Sequence, residues 1–372
     1  MAAATPSDRR RKVLIATDEM EVGGSQRQIT NLLTGIDQTK VEPVLLYFRR
    51  PSFLLERIEA AGVRVHCLPK GGRIDPGFFW KLVRFLAVER FDVIHAYSLT
   101  AELWLALARL FAGAPRIISS IRSTYDNYAW WQWRLKQWIT SQSSLVISNS
   151  KLAGDQAFRR MALPASSLAV VYNGIRPPAA GLALPEDRAA ARGQRDFILT
   201  FVGRLGREKN LPCLLRALHR LKAEGGRRIG VWLVGDGSER ARTEAMIEEL
   251  GLDHVELLGE RSDVDALLAH SDAAVLPSMR EGLSNAILEA MASARPVIAS
   301  AVGGSPEIIR DEETGLLFPS GDDEALALAI ARLYDAPQFR AKLGTAARAD
   351  VAERFSVTSM VRAFERHYGA AA

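Results

Sequence analysis

The chain has 372 residues, 48% hydrophobic and 24% charged, which predicts two domains and excludes a disordered or fibrous protein. No run of roughly 18 apolar residues occurs, so no spanning helix is expected, and Cys67 and Cys213 are too few for a disulfide or zinc framework and read as buried thiols of a reducing compartment. The net charge of +5 is unevenly placed: residues 1–180 hold 24 Lys/Arg against 14 Asp/Glu and the remainder 24 against 29, so the first half suits an anionic partner, either nucleic acid or an anionic membrane or lipid-phosphate acceptor.

Residues 1–12 are Ala-rich and then basic, and read as a disordered tail rather than a signal peptide, because the apolar run at Val13–Ile15 is too short. The first strand is expected over Lys12–Ala16, and Gly23 and Gly24 open a helix over Gln26–Leu33. Strands follow at Glu42–Phe48 and Val63–Leu68, with a helix near residues 52–61 between them. A helix over Pro76–Glu89 precedes a strand over Asp92–His95. Residues 101–112 are helical, and Arg116–Ser119 and Leu145–Ser148 are strands. This alternation predicts a mostly parallel sheet covered by helices. Residues 176–196, with Pro177 and Pro178, read as a linker. A second series of strands is expected at Phe197–Val202, Val231–Val234, Val255–Leu258, Ala273–Leu276 and Pro296–Ala299. Phe339–Tyr368 is an amphipathic helical segment with a break near Phe355 and Ser356. Two doubly wound domains of this kind bind ligands at the carboxyl ends of their strands.

The stretch from Ser278 to Glu289 carries the strongest chemical signal. It sets Glu281 and Glu289 with seven residues between them, Glu281 on a strand-to-helix loop and Glu289 about two turns into a helix. The backbone amides of residues 283 to 286, including Leu283 and Ser284, would form the helix start, a site suited to phosphate. Arg204 and Lys209 flank a glycine turn after the first strand of the second half. They suit a diphosphate, since a guanidinium forks onto phosphate oxygens and an ammonium adds a point charge. An exposed loop with ordinary surface charges is the competing reading.

Gly235, Asp236 and Gly237 resemble the start of a dinucleotide fingerprint, but its third glycine falls on Arg240, so the glycines read as a tight turn. Gly23 and Gly24 allow close approach of an anion or make a simple turn. His95 ends a strand where ligands sit, or is a structural histidine bonded to backbone. Asp263 and Asp265 have the spacing of a metal-binding pair, but capping of the following helix by Ser262 or Asp263 accounts for them better, and no metal site is expected. Trp130, Trp131, Trp133 and Trp138 crowd beside Arg134 and Lys136. Trp131, Leu135 and Trp138 share a helical face and Trp133 lies opposite. Contact with a membrane interface and packing inside the first domain both remain open.

Together these pieces resemble the GT-B retaining glycosyltransferases of family 4, also called the glycosyl transferase group 1 family. The match runs through Gly23–Gly24, Asp92–His95, Val171–Ile175, Gly203–Arg204 with Lys209–Asn210, Gly235–Gly237, Glu281–Glu289 and Gly303–Glu307. The resemblance implies two Rossmann-like domains facing a central cleft: an acceptor-side domain over residues 1–180, a nucleotide-sugar donor domain over 195–354, and a C-terminal helix of about 355–372 crossing back to the first. It implies that Arg204 and Lys209 bind the donor diphosphate, that Glu281 faces the donor sugar and that Glu289 bonds the ribose. Leu283 and Ser284 would touch phosphate or sugar through their amides, and His95 would contact the sugar. Gly24 and Gly235 would line the cleft, and Arg261 would lie by the base.

The expected activity is transfer of a sugar, with retention and without metal or other cofactor, from a UDP- or GDP-sugar to a lipid-linked or membrane-proximal glycan acceptor. The setting would be surface polysaccharide or glycolipid synthesis by a cytoplasmic enzyme, peripheral on the inner face of the cell membrane. No nucleic-acid partner is expected. A nucleotide-sugar epimerase or hydrolase on the same fold is the alternative, and a non-catalytic anionic-ligand or membrane-binding module is a third reading.

Overall fold

A computed structural model describes residues 10–72, 74–113, 115–125 and 128–369, with the side chains of residues 190 and 191 left aside. Most of the expected N-terminal tail, residues 1–9, lies outside the described residues. The chain divides into two compact units, one running to Gly174 and resuming at Val357, the other spanning Ile175–Ser356.

The first unit alternates strand and helix. Its order is β1 (Arg11–Glu19), α1 (Gly24–Gly35), β2 (Val41–Arg49), α2 (Leu54–Ala60), β3 (Arg64–Cys67), α3 (Pro76–Glu89) and β4 (Val93–Ala96). Then come α4 (Leu99–Ala108), β5 (Arg116–Ile121), α5 (Trp130–Ser141), β6 (Leu145–Ser148), α6 (Lys151–Met161) and β7 (Leu168–Val170). The sheet order is β3-β2-β1-β4-β5-β6-β7, and the paired strands run parallel. Burial on both faces explains the continuous apolar runs of β1 and β2. One face packs Val13, Ile15 and Leu45 against Ile29 and Leu33 of α1; the other packs Leu14, Leu46 and Ile94 against Phe78 and Leu82 of α3.

The second unit holds α7 (Glu186–Gly193), β8 (Phe197–Val202), α8 (Leu211–Glu224), β9 (Ile229–Val234), α9 (Arg240–Glu249), β10 (Val255–Gly259) and α10 (Val264–Ala269). It continues through β11 (Ala273–Leu276), α11 (Asn285–Ala292), β12 (Val297–Ser300), α12 (Ser305–Ile308), β13 (Gly315–Phe318), α13 (Asp323–Asp335) and α14 (Pro337–Arg354). Its parallel sheet has the order β10-β9-β8-β11-β12-β13. The last helix, α15 (Val357–Tyr368), belongs to the first unit: Met360, Val361, Phe364 and Tyr368 enter its core beside Ile29 and Leu33.

Several details depart from the sequence reading. Arg11 and Lys12 are strand rather than tail, with Lys12 N bonded to Asp92 Oδ2 at 2.8 Å. The stretch 176–196 contains α7, where Arg188 bonds Glu256 and Arg192 pairs with Asp272 at 3.0 Å. The short strands β7 and β13 escape the hydrophobic pattern. Cys67 is exposed on edge strand β3, whereas Cys213 is buried. No helix of the described residues is long and apolar enough to cross a membrane.

Candidate active site

Because each sheet is parallel, the loops that follow its strands gather at one edge, and a doubly wound sheet opens a crevice where its strand order reverses. In the second unit that reversal falls between β8 and β11. The loop after β8 carries Arg204 and Lys209, and the loop after β11 carries Ser278 to Ser284. The fold thus brings together residues about 80 positions apart in sequence.

Lys209 Nζ donates to Glu281 Oε1 at 2.5 Å, and Ser278 Oγ donates to the same oxygen at 2.6 Å. Both charged side chains are largely buried, at 16% and 10% exposure. A backbone bond from Met279 N to Glu208 O at 2.8 Å joins the two loops beside the pair. Arg204 is exposed, and its guanidinium makes no hydrogen bond or ion pair with another described residue. This leaves an exposed cation on the same loop as a paired one. Ser278 carries no signal of its own in the sequence; its role appears only from its bond to Glu281.

Helix α11 begins at Asn285, so Glu289 lies about one turn into it rather than two. Ser284 is its N-cap but makes no side-chain cap bond, and no acid sits in the first turn. The first turn of α11 thus supplies no carboxylate of its own to the positive end of the helix dipole, an end suited to an anion. Leu283 and Ser284 are both buried at this helix start.

Glycines close the site from below. A Cβ on Gly235, whose φ is +130°, would stand 2.1 Å from Gly203 O, and one on Gly237 would stand 2.5 Å from Leu205 O. Leu205 N donates to Asp236 O at 2.9 Å, and Gly235 N to Gly259 O at 2.7 Å. Gly303, with φ +53°, would place a Cβ 1.9 Å from Glu281 O, and Gly304 N donates to Gly282 O at 2.7 Å. Gly235 and Gly237 are thus close-approach residues that seat the Arg204 loop, more than a turn. Gly303 and Gly304 do the same for the Glu281 loop.

Arg261, after β10, lies at the same sheet edge, but its guanidinium is committed to Asp263 (2.8 and 2.6 Å) and Asp187 (2.8 and 3.3 Å). Those two carboxylates hold its pKa above the usual guanidinium value. Any contact to a base falls to its backbone. Asp263 occupies the N-cap of α10 without a side-chain cap bond, because Arg261 takes its carboxylate; the capping expectation is corrected accordingly. No group of three or more potential metal-ligating His, Cys, Asp or Glu occurs among the described residues.

In the first unit the order reverses between β1 and β4. Gly24 starts α1 after β1, with Gly23 as an N-cap that has no side-chain cap bond. His95 lies near the end of β4 but is fully buried: Nδ1 pairs with Tyr368 Oη at 2.8 Å and Nε2 with Ser120 Oγ at 2.9 Å. Burial, with Arg122 and His367 nearby, holds its pKa well below the ordinary value. It is therefore a neutral imidazole with both nitrogens engaged, and this geometry favours the structural reading over sugar contact. Its partner Tyr368 stands 273 residues away in sequence. Beneath it, Lys136 Nζ donates to both carboxylate oxygens of Glu102 at 2.6 Å and to Ser120 O at 2.8 Å, in a fully buried ion pair.

The tryptophan cluster divides. Trp133 is 7% exposed and packs with Ile121, Val146 and Phe158. Trp130, Trp131 and Trp138 are 78%, 49% and 39% exposed. The core-packing reading thus holds for Trp133, while the other three stand exposed on α5.

Comparison with known proteins agrees with this architecture. Residues 185–350 match the family "Glycosyl transferases group 1", and residues 22–177 match "Glycosyltransferase Family 4". The lipopolysaccharide core biosynthesis glycosyltransferase LpsD of Rhizobium meliloti is 27% identical over 359 residues, 92% of this chain and 94% of that protein. The D-inositol 3-phosphate glycosyltransferase of Saccharomonospora viridis is 32% identical over 234 residues, 59% of this chain and 53% of that protein. Among solved structures, Anabaena HepE in complex with UDP-glucose superposes with a TM-score of 0.83 at 23% identity, covering 97% of this chain and all of that one. With two Rossmann-like parallel-sheet units and a matched domain in each, the chain is a glycosyltransferase of the GT-B type.

Proposed function

We propose that this glycosyltransferase moves a sugar, with retention and without metal, from a UDP- or GDP-sugar to a lipid-linked or membrane-proximal glycan in surface polysaccharide or glycolipid synthesis. The observation that carries the reading is the Lys209–Glu281 pair on the loops that also hold the exposed Arg204 and the start of α11, at the reversal point of the second sheet. A nucleoside diphosphate leaving a sugar gains negative charge as the anomeric carbon becomes cationic. Arg204, Lys209 and the α11 dipole relieve that charge with groups already in place. Glu281 holds Lys209 in position while its remaining acceptor capacity suits sugar hydroxyls. Glu289 suits the ribose hydroxyls. HepE has been crystallised with UDP-glucose, and LpsD is named for lipopolysaccharide core synthesis; both support the choice of donor class and pathway.

The membrane-proximal part of the reading draws on Trp130, Trp131 and Trp138, which stand exposed on α5 of the basic half of the chain. Indole rings with neighbouring cations suit the headgroup region of an anionic bilayer.

A thermal-shift screen with UDP, GDP, ADP and their sugars tests the donor. One nucleotide should stabilise the protein selectively by mass action. No stabilisation by any of them would overturn the donor assignment. Incubation with the preferred donor alone separates transfer from its alternative: rapid, complete turnover without acceptor would mark a hydrolase or epimerase.

A further inference from the structure

Ser278 stands two residues beyond β11 and is fully shut away from solvent. Its main chain is held on two sides. Ser300 Oγ, on the last residue of β12, donates to Ser278 O, and Ser320 Oγ, just beyond β13, donates to the same oxygen at 3.3 Å. The N–H of the same peptide unit, that of Met279, donates to Glu208 O at 2.8 Å. A peptide unit is planar. This one is held at its oxygen from the β12 and β13 side and at its nitrogen from the loop after β8, so it cannot turn without breaking bonds at both ends. Ser300 is fully buried as well, and a bond lost there is not replaced by water.

That peptide sets where the Ser278 hydroxyl stands. Ser278 Oγ donates to Glu281 Oε1 at 2.6 Å, and Lys209 Nζ donates to the same oxygen at 2.5 Å. An ammonium is a compact point charge without a fork of its own. Lys209 alone would therefore accept either oxygen of Glu281, and the serine decides between them. Each carboxylate oxygen takes about two hydrogen bonds, so two donors fill Oε1 and the capacity of Oε2 is kept.

We propose that Ser278 is a positioning residue for sugar transfer: it locks Oε1 of Glu281 onto Lys209 and so reserves Oε2 for a hydroxyl of the sugar being transferred. Ser300 and Ser320 support that lock through the main chain. The inference rests on the reading of Glu281 as the group that meets the donor sugar. It makes affinity for the sugar, as distinct from affinity for the nucleotide, depend on a buried serine of the β11 loop and on its support from β12.

The test compares UDP-glucose with UDP by calorimetry on the full chain, or GDP-mannose with GDP if the guanine nucleotide is the one that stabilises the protein. S278A should leave nucleoside diphosphate affinity within about twofold of wild type and weaken the nucleotide sugar about tenfold, as loss of one hydrogen bond to a charged group implies. A general loosening of the site would weaken both. In an E281A background, S278A should make no further difference, because the serine acts through the carboxylate. S300A keeps the Ser278 hydroxyl and removes a donor to its carbonyl; it should weaken the nucleotide sugar about threefold, and S278A should mask that effect. Unchanged nucleotide-sugar affinity in S278A, equal losses for nucleotide and nucleotide sugar, or a full S278A effect in the E281A background would each overturn the proposal. If S278A fails to fold, S300A decides by the same comparison. E281A alone reports on the donor reading. Nucleotide-sugar affinity unchanged by E281A overturns that reading and the role of Ser278 with it, whereas weakening by E281A without weakening by S278A overturns the role alone.

Discussion

Lys209 and Glu281, 72 residues apart, meet through a 2.5 Å bond from ammonium to carboxylate, and Ser278 donates to the same carboxylate oxygen. The pair fixes a cation where the proposed function needs charge relief for a leaving diphosphate. Lys209→Met and Glu281→Ala should each lower kcat by about 10²- to 10³-fold. Arg204→Met should do likewise while leaving the melting temperature nearly unchanged, since its side chain touches little. Assays with the preferred donor, run beside thermal melts, check this. Full activity in any of the folded variants would remove that residue from the site.

Gly303→Ala and Gly237→Ala should each destabilise the protein by about 1–3 kcal/mol and weaken nucleotide binding. The added methyl would meet the Glu281 and Leu205 carbonyls respectively. Gly181→Ala is the control: its φ is +70°, but nothing lies within 4 Å of an added Cβ. Denaturant titration and UDP affinity should therefore separate close approach from backbone strain, with only the first affecting the nucleotide.

Lys136→Met should cost about 3–5 kcal/mol, because it strands the buried Glu102 carboxylate. The double variant Lys136→Met, Glu102→Leu should regain much of that loss. Urea unfolding of the two variants checks the sign, and equal stability of single and double variants would contradict it.

His95 has a folded pKa well below its ordinary value of 6.5, and burial lowers His254 and His367 as well. In this direction the unfolded chain takes up the proton first. The stabilisation is complete above the unfolded pKa and is lost as pH falls from there toward the folded pKa. The melting temperature should therefore drop from about pH 7 downward. A folded His95→Asn variant, less stable overall, should show a shallower drop. An unchanged slope would exclude His95 as a contributor.

Trp131→Ala with Trp138→Ala should reduce binding to anionic vesicles several-fold and leave stability almost intact. Trp133→Ala should instead cost about 3–5 kcal/mol, since it empties a core position. Vesicle sedimentation and melting curves together distinguish the two sides of α5.

Much of the architecture was legible because buried parallel strands are continuous apolar runs: β8, β6 and β11 fall where the pattern places them. The break before α15 was visible at Phe355 and Ser356. β7 and β13 were not, being only three and four residues long. The cations and glutamates of the loops after β8 and β11 stood out by type and spacing. The partners that set their geometry did not: Ser278 resembles any loop serine, and the sealing of His95 depends on Tyr368 at the far end of the chain. Asp263 followed the local logic of a cap until Arg261, two residues away, took its carboxylate.

The glycine contacts beneath the second sheet's loops have a mechanical consequence. Gly235 and Gly237 grip one loop and Gly303 and Gly304 the other, through main-chain atoms that have no rotamers and do not titrate. With Met279 bonded to Glu208 between them, the loops after β8, β9, β11 and β12 form a single stiff frame. The main-chain part of the frame holds no group that titrates, so the few side chains mounted on it are free to differ in what they grasp without altering where they stand.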